Sequence, residues 1–176
     1  MGVVRAVGVV VVSLGLLAPA GAAEKYLSLG GGFYASSMIQ KGYTESNAEY
    51  SGLALTGSAA LTDNFGLRVN LFWTDNDRLY GWESNGTDIQ LLGGFNLASE
   101  GFKAYVSLGF FRDDWVGPNE EFTSYSGGQF GVGLGYNWEP VTLDLAINFR
   151  DASDYEAEFL MPLNATSSML SLGLRF

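Results

Sequence analysis

The stretch Gly128–Trp138 reads GQFGVGLGYNW and alternates between two kinds of residue. Phe130, Val132 and Leu134 belong to a bulky apolar set, and glycines separate them. Because successive side chains of a β-strand point to opposite faces, the pattern predicts a strand with one bulky apolar face and one nearly bare face. The glycines are not a phosphate-binding loop, since no helix or lysine follows them.

The same alternation recurs in seven other stretches of the 176-residue chain. None of the bulky-face positions is charged, although 16% of the residues in the chain are charged. The eight stretches span residues 27–35, 53–61, 67–73, 89–97, 102–110, 128–138, 141–149 and 170–176. All four prolines lie outside them, as expected because proline lacks the donor that a strand ladder needs. The pattern therefore predicts an all-β fold with eight strands.

The connections between these stretches alternate between short and long. The short ones lie at 62–64, 98–101 and 139–140, and the long ones at 37–49, 74–87, 112–125 and 151–166. Short turns at one end and long loops at the other are typical of outer-membrane barrels. We therefore predict an eight-stranded antiparallel transmembrane β-barrel with short periplasmic turns and four long extracellular loops.

The direction of the bulky face distinguishes a membrane barrel from a soluble barrel of the lipocalin type. An eight-stranded barrel encloses just enough space for side chains or one small ligand. Leucine, phenylalanine, valine, isoleucine and tryptophan dominate the bulky face and would overfill that space, whereas the face rich in glycine, serine and alanine fits it. We therefore expect the bulky face to contact lipid, with aromatic girdles at both membrane interfaces.

The first residues have the features of an export signal. Arg5 supplies a positive charge, Val7–Leu17 is an apolar run, and Ala20–Ala22 matches an A-x-A cleavage site. A membrane-spanning helix needs about 20 apolar residues, so the run is too short for an anchor. The sequence therefore predicts a signal peptide over residues 1–22, cleaved near 22/23 or 23/24, and a barrel over residues 23–176.

The chain ends in MLSLGLRF, residues 169–176, where apolar residues alternate back from a terminal phenylalanine. This ending resembles the C-terminal signal of bacterial outer-membrane barrels. The stretches 129–137 and 141–145 are similar to the sixth and seventh strands of the small members. The mature chain as a whole resembles the OmpX/Ail group, the opacity-type proteins and the OmpA transmembrane domain.

This resemblance implies a location in the outer membrane of a Gram-negative bacterium, in contact with outer-membrane lipid and lipopolysaccharide. It also implies that the barrel-assembly machinery and periplasmic chaperones act during biogenesis. The residues that the resemblance assigns to the assembly signal are Leu170, Leu172, Leu174 and Phe176.

The lumen-facing positions hold four basic and two acidic residues. In a narrow interior unpaired charges are costly, whereas hydrogen-bonded pairs are tolerated. We expect a structural polar plug, and the alternative is an ion path or a proton-active site. The cluster consists of Arg68, Asp88, Lys103, Asp144, Arg150 and Arg175.

The predicted outer loops hold most of the excess negative charge of the chain, whose net charge is −10. The surface that they form is either simply solvated or able to share divalent cations with lipid phosphates. The loop aromatic residues either contact a partner or pack on one another and extend the barrel above the membrane. The candidate contact residues are Trp82, Asp113, Asp114, Trp115, Glu120, Glu121 and Tyr155.

The composition excludes several kinds of chemistry. The sequence contains no histidine and no cysteine, which excludes Ser-His-Asp triads, cysteine nucleophiles and most transition-metal sites. Its acidic balance argues against nucleic acid, because phosphate binding needs a basic surface. We predict a non-enzymatic protein without a cofactor, with a cell-surface or envelope-integrity role in which the acidic loops contact an unspecified ligand. The alternative is a narrow channel or transporter for small solutes or apolar molecules.

Overall fold

Eight antiparallel strands close into a barrel in a computed structural model, which describes residues 25–43, 46–76, 81–119 and 122–176. The predicted signal peptide over residues 1–22 lies outside the described residues. The elements are β1 (Leu27–Gln40), β2 (Ser46–Ala60), β3 (Phe65–Asn76), β4 (Glu83–Phe95), β5 (Gly101–Val116), β6 (Phe122–Asn137), β7 (Val141–Arg150), α1 (Ser153–Phe159) and β8 (Leu163–Arg175). No helix in the described part of the chain is long and apolar enough to cross a membrane.

Each strand pairs with the next one along the chain, and β8 closes the barrel by pairing with β1. Leu29 of β1 lies opposite Gly57 of β2 on one side and opposite Leu174 of β8 on the other. Closure leaves no open sheet edge that another chain could extend. The predicted eight-stranded antiparallel barrel is confirmed.

The strands extend further than the apolar alternation predicted at one end, which we call the mouth. The opposite end holds the start of β1 and the end of β8, and we call it the terminal end. Most of segments 37–49 and 112–125, predicted as loops, belongs to strands, and residues 117–121 alone separate β5 from β6. The inward positions of these extensions carry large aromatic side chains that pack on one another, so the strand pairing continues beyond the apolar wall.

The outer wall of the barrel exposes apolar side chains. Leu29, Phe33 and Phe110 are 63%, 71% and 73% exposed. Exposed aromatic residues occur toward both ends of the wall. Those toward the mouth include Phe33, Trp73, Phe110 and Phe149, and those toward the terminal end include Phe65, Phe102, Tyr136, Trp138 and Phe176. A wall of this kind suits a hydrocarbon surrounding between two interfaces.

Small residues on the inner face leave room for the side chains that fill the barrel. A Cβ atom added to Gly133 would lie 2.0 Å from the Tyr105 ring, which occupies the paired position on β5. A Cβ atom added to Gly86 would lie 2.4 Å from the ring of Phe72. Both rings therefore lie directly on the backbone of the neighbouring strand. The interior is consequently a packed core.

Candidate functional site

The half of the interior near the terminal end holds an ion-pair group around Asp144. Arg68 Nη2 lies 3.0 Å and Lys103 Nζ 2.5 Å from Asp144 Oδ2. The Tyr105 hydroxyl donates a hydrogen bond to the other carboxylate oxygen of Asp144. Lys103 Nζ also donates a hydrogen bond to the Thr142 hydroxyl at 2.9 Å. All five side chains are buried. Two cations therefore depend on one carboxylate in a region with little water.

The turn between β4 and β5, residues 96–100, is bound across the terminal end. Asn137 Nδ2 donates to two carbonyls of this turn at 2.8 and 2.9 Å, and Arg175 donates to the buried carbonyl of Ala98. Asp63 accepts hydrogen bonds from two backbone N–H groups of the turn at 2.9 and 3.2 Å. Burial raises the pKa of Asp63, but these hydrogen bonds outweigh it and hold that pKa below its ordinary value. Two cavities of about 20 and 10 Å³ remain in this half, which leaves room for about one water each.

A second charged group lies nearer the mouth around Arg150, the last residue of β7. Its guanidinium lies 2.8 Å from Asp88 and 3.5 Å from Asp113, and it also donates to the Tyr34 hydroxyl. The guanidinium carbon lies 4.4 Å from the centre of the Phe111 ring, which is a cation–π contact. One arginine therefore faces two fully buried carboxylates, and hydroxyl groups supply further hydrogen bonds to them.

The mouth itself is filled by an aromatic cluster, defined as Tyr50, Phe111, Trp115, Tyr125 and Tyr155. Ring centroids lie 4.7 Å apart for Tyr50 and Trp115, 5.0 Å apart for Trp115 and Tyr125, and 4.4 Å apart for Tyr125 and Tyr155. No ring of the cluster is more than 4% exposed. Burial raises the pKa of Tyr50 and of Tyr125 to about 12.

The connection between β7 and β8, residues 151–162, crosses the mouth, and we call it the strap. It contains α1, and Tyr155 is the buried residue of that helix. The Tyr155 hydroxyl donates to Asp113 Oδ2 at 3.0 Å, and the Ser84 hydroxyl donates to the other oxygen of the same carboxylate. Asp113 thus links the strap to the charged group below it.

Polar contacts near the surface also tie the strap to its neighbours. Glu156 accepts from the Leu163 backbone N–H at 2.8 Å and from Lys41 Nζ at 3.0 Å. Asp154 accepts from the Ser126 backbone N–H at 3.0 Å. The Leu163 N–H and the Lys41 ammonium hold the pKa of Glu156 below its ordinary value. Such exposed contacts contribute little stability individually.

All six charged residues predicted to face the lumen are buried, but they lie in separate groups. Arg68, Lys103 and Asp144 form one group, Asp88 and Arg150 belong to another, and Arg175 binds carbonyls at the terminal end. The alternation indicates the face of each residue, whereas the strand register decides which residues meet. Sequence reasoning assigned Asp113 to the loop contacts and not to the lumen, although the same alternation continued along β5 from Lys103 reaches it.

Asp113, Trp115 and Tyr155, which the sequence predicts to contact a partner, are buried in the mouth and not exposed on loops. Their contact with a partner stays a prediction. The rings of Trp115 and Tyr155 pack on each other, and the Tyr155 hydroxyl donates a hydrogen bond to Asp113, which agrees with the mutual-packing alternative for the loop aromatic residues. Trp82 is partly buried against the aromatic cluster.

The predicted acidic contact residues lie in different places. Asp114 is partly exposed and pairs with Arg112 at 3.1 Å, while Glu120 and Glu121 lie outside the described residues. Within the described ranges, no three acidic side chains gather in a way that could hold a metal ion. Divalent-cation binding at the acidic loops stays a prediction.

A closed eight-stranded barrel with an apolar wall and a filled interior has the architecture of the small outer-membrane barrels. Solved structures of other proteins share this fold, and these include the following three. Ail, the attachment invasion locus protein of Yersinia pestis, is 18% identical with a TM-score of 0.58, covering 87% of this chain and 99% of that one. OprG from Pseudomonas aeruginosa is 15% identical with a TM-score of 0.54, covering 89% and 98%. Neisserial surface protein A is 15% identical with a TM-score of 0.56, covering 85% and 95%.

At these identities the likeness establishes the fold alone. No family model matches the sequence, and no curated protein matches it.

Proposed function

We propose that this chain is a non-enzymatic, non-conducting barrel of the outer membrane of a Gram-negative bacterium, with a cell-surface or envelope-integrity role at its mouth. The proposal is supported by the turn and the side chains that lie across the two ends of the interior. The turn 96–100 is bound across the terminal end, and the aromatic cluster fills the mouth. Between them lie two groups of buried ion pairs. A passing solute would have to break these pairs, which is costly in a region with little water.

The outer wall supports the membrane placement. Its apolar side chains lie between two sets of aromatic residues, which suits a lipid bilayer with lipopolysaccharide around the barrel. In this placement the terminal end faces the periplasm and the mouth faces outward. The exposed residues proposed as the signal for the barrel-assembly machinery, after periplasmic chaperones deliver the chain, are Leu170, Leu172, Leu174 and Phe176.

The charge around the mouth restricts the partner. Ail has been crystallised with the heparin analogue sucrose octasulfate, which is a polyanion. In the present chain, the exposed residues Glu83, Asp151, Asp154 and Glu158 make the mouth acidic. Because like charges repel, we propose a neutral or cationic partner, or lipid phosphate bridged by a divalent cation.

Single-channel recording of the refolded chain in a planar bilayer tests the proposal. Heat-dependent gel mobility first establishes that the barrel has folded. We expect a silent bilayer for the wild type and for Glu158→Gln, whose altered carboxylate is exposed on α1. Reproducible conductance steps that change in Arg68→Ala or Asp144→Ala would contradict the proposal and favour transport.

A further inference from the structure

Tyr155 enters the mouth as a single side chain on a short helix. The seven residues of α1 include one buried residue, and that residue is Tyr155 itself. Its ring lies parallel to Phe111, with centroids 6.1 Å apart and an interplanar angle of 2°. The rings of Tyr125 and Trp115 lie 4.4 and 5.8 Å away. The phenol ring of Tyr155 is therefore enclosed by aromatic side chains of β5 and β6.

The hydroxyl of Tyr155 meets an acceptor at the bottom of this enclosure. Asp113 Oδ2 accepts its hydrogen bond at 3.0 Å, and Arg150 and Ser84 hold the same carboxylate in place. These two partners remain on β7 and β4 when the strap is absent from the mouth. The walls and the acceptor thus form a site for a phenol even without Tyr155.

Tyr155 is the deepest of several contacts that keep the strap closed. The Phe159 ring lies 6.1 Å from the Trp115 ring, and Ala152 and Met161 pack against the buried residues of the mouth. A helix of seven residues is marginal by itself, and Ala152 at its N-terminus makes no side-chain capping bond. Leu160 ends the helix at φ 54, in the left-handed region that disfavours a non-glycine residue, and it is 89% exposed. The Lys41–Glu156 ion pair is exposed to water. Opening the strap therefore requires the loss of one deep anchor and of the packing of these three side chains. It also strains or breaks the backbone hydrogen bonds at the ends of the strap, from Lys41 N–H to the Pro162 carbonyl at 3.0 Å and from Asp151 N–H to the Gly128 carbonyl at 2.8 Å.

We propose that the mouth is a binding site for small phenolic molecules, which Tyr155 occupies as a tethered competitor. A phenol from the outside displaces the Tyr155 side chain, stacks between Phe111 and Tyr125, and donates a hydrogen bond from its hydroxyl to Asp113. The strap then moves away from the mouth. Ligand and strap exclude each other, so weaker tethering of the strap strengthens the apparent affinity.

The test compares phenol with anisole, which is similar in shape but cannot donate a hydrogen bond. Binding is measured by fluorescence in a folded chain that keeps Trp115 as its sole tryptophan, with Trp73, Trp82 and Trp138 replaced by phenylalanine. The variants are Tyr155→Ala, which empties the site, and Tyr155→Ala combined with Asp113→Asn, which weakens the acceptor. Glu156→Gln loosens the strap without touching the site, and Glu158→Gln is its matched control on the same helix.

We expect Tyr155→Ala to bind phenol about tenfold more tightly than anisole, and Asp113→Asn to remove most of that preference. The wild type should bind phenol with an affinity within about a hundredfold of Tyr155→Ala. Glu156→Gln should bind it about twofold more tightly than the wild type, because an exposed ion pair contributes little stability. Glu158→Gln should match the wild type.

Three results would overturn the proposal. The first is a wild type that shows no response at about a hundred times the dissociation constant of Tyr155→Ala, because Tyr155 would then be a permanent part of the core. The second is equal binding of phenol and anisole. If Tyr155→Ala does not fold, the comparison of Glu156→Gln with Glu158→Gln decides, and equal phenol affinities in these two variants are the third.

Discussion

Asp144 is the residue whose loss of negative charge we expect to destabilise the barrel most. In Asp144→Asn, Arg68 and Lys103 lose the anion that both contact, while each remains only 6% exposed. Removal of one partner from a buried ion pair costs about 3–5 kcal/mol, because the remaining charge stays out of water. Asparagine keeps the shape of the side chain and one acceptor oxygen, so the lower part of this range applies.

This loss is large enough to measure in urea. With a denaturant slope of about 2 kcal/mol per molar urea, a loss of about 3 kcal/mol lowers the unfolding midpoint by about 1.5 M. The assay follows the heat-modifiable folded band of barrels refolded in lipid vesicles over a urea series. Glu158→Gln changes the same charge on an exposed side chain and should shift the midpoint little.

A double variant tests the physical reason. Replacing Lys103 by methionine in the Asp144→Asn background removes one of the two stranded cations and should recover part of the lost stability. The reasoning is refuted if the midpoint of Asp144→Asn equals that of Glu158→Gln, since the interior would then be wet enough to solvate both cations. It is also refuted if Lys103→Met makes Asp144→Asn less stable still.

Three further predictions follow from the interior packing and from the strap. Gly133→Ala should lower the refolded fraction in gel assays, because the added Cβ would overlap the ring of Tyr105. Gly128→Ala is the control and should refold normally, because nothing lies within 4 Å of its added Cβ. Equal refolding yields for the two variants would contradict this prediction. Tyr50 and Tyr125, with pKa values raised to about 12, should still be protonated at pH 11 in an absorbance titration at 295 nm. The stability that these raised pKa values contribute is fully present below pH about 10 and is lost as the pH rises through about 12. A titration in which all tyrosines are ionised by pH 11 would refute the prediction. The pKa of Glu156 is lowered in the closed strap, so the ionised carboxylate stabilises the strap at every pH above the ordinary pKa of a glutamate. This stabilisation is lost as the pH falls through the lowered pKa. Proteolysis of the strap should therefore increase in acid, and the increase should be smaller in Glu156→Gln.

The fold could be predicted because strand alternation is a local property of the sequence. Phe130 and Gly131 differ in size and alternate in direction, and no distant residue is needed to interpret that difference. The meeting of Arg150 with Asp88 could not be predicted in this way. They lie on β7 and β4, and their height along the barrel depends on the register of every strand pair between them.

The mouth was harder to predict for a different reason. Asp113 follows the inward alternation of β5, but it lies beyond the apolar wall, where the pattern has no lipid-facing partner to mark it. Tyr155 lies in a segment whose short helix has little intrinsic stability, so its position depends on the aromatic rings that it contacts. The burial of both residues is a property of the assembled barrel.

The pairing of β1 with β8 has a consequence for the order in which the molecule forms. Seven of the eight strand pairings join neighbours in the chain, and the eighth joins the two ends. Hairpins between neighbours can form early, whereas a contact between the ends carries a large loop-closure entropy. The pairing of β1 with β8, which includes Leu29 and Leu174, is therefore expected to form last. Until then the sheet has two free edges with which another chain could pair.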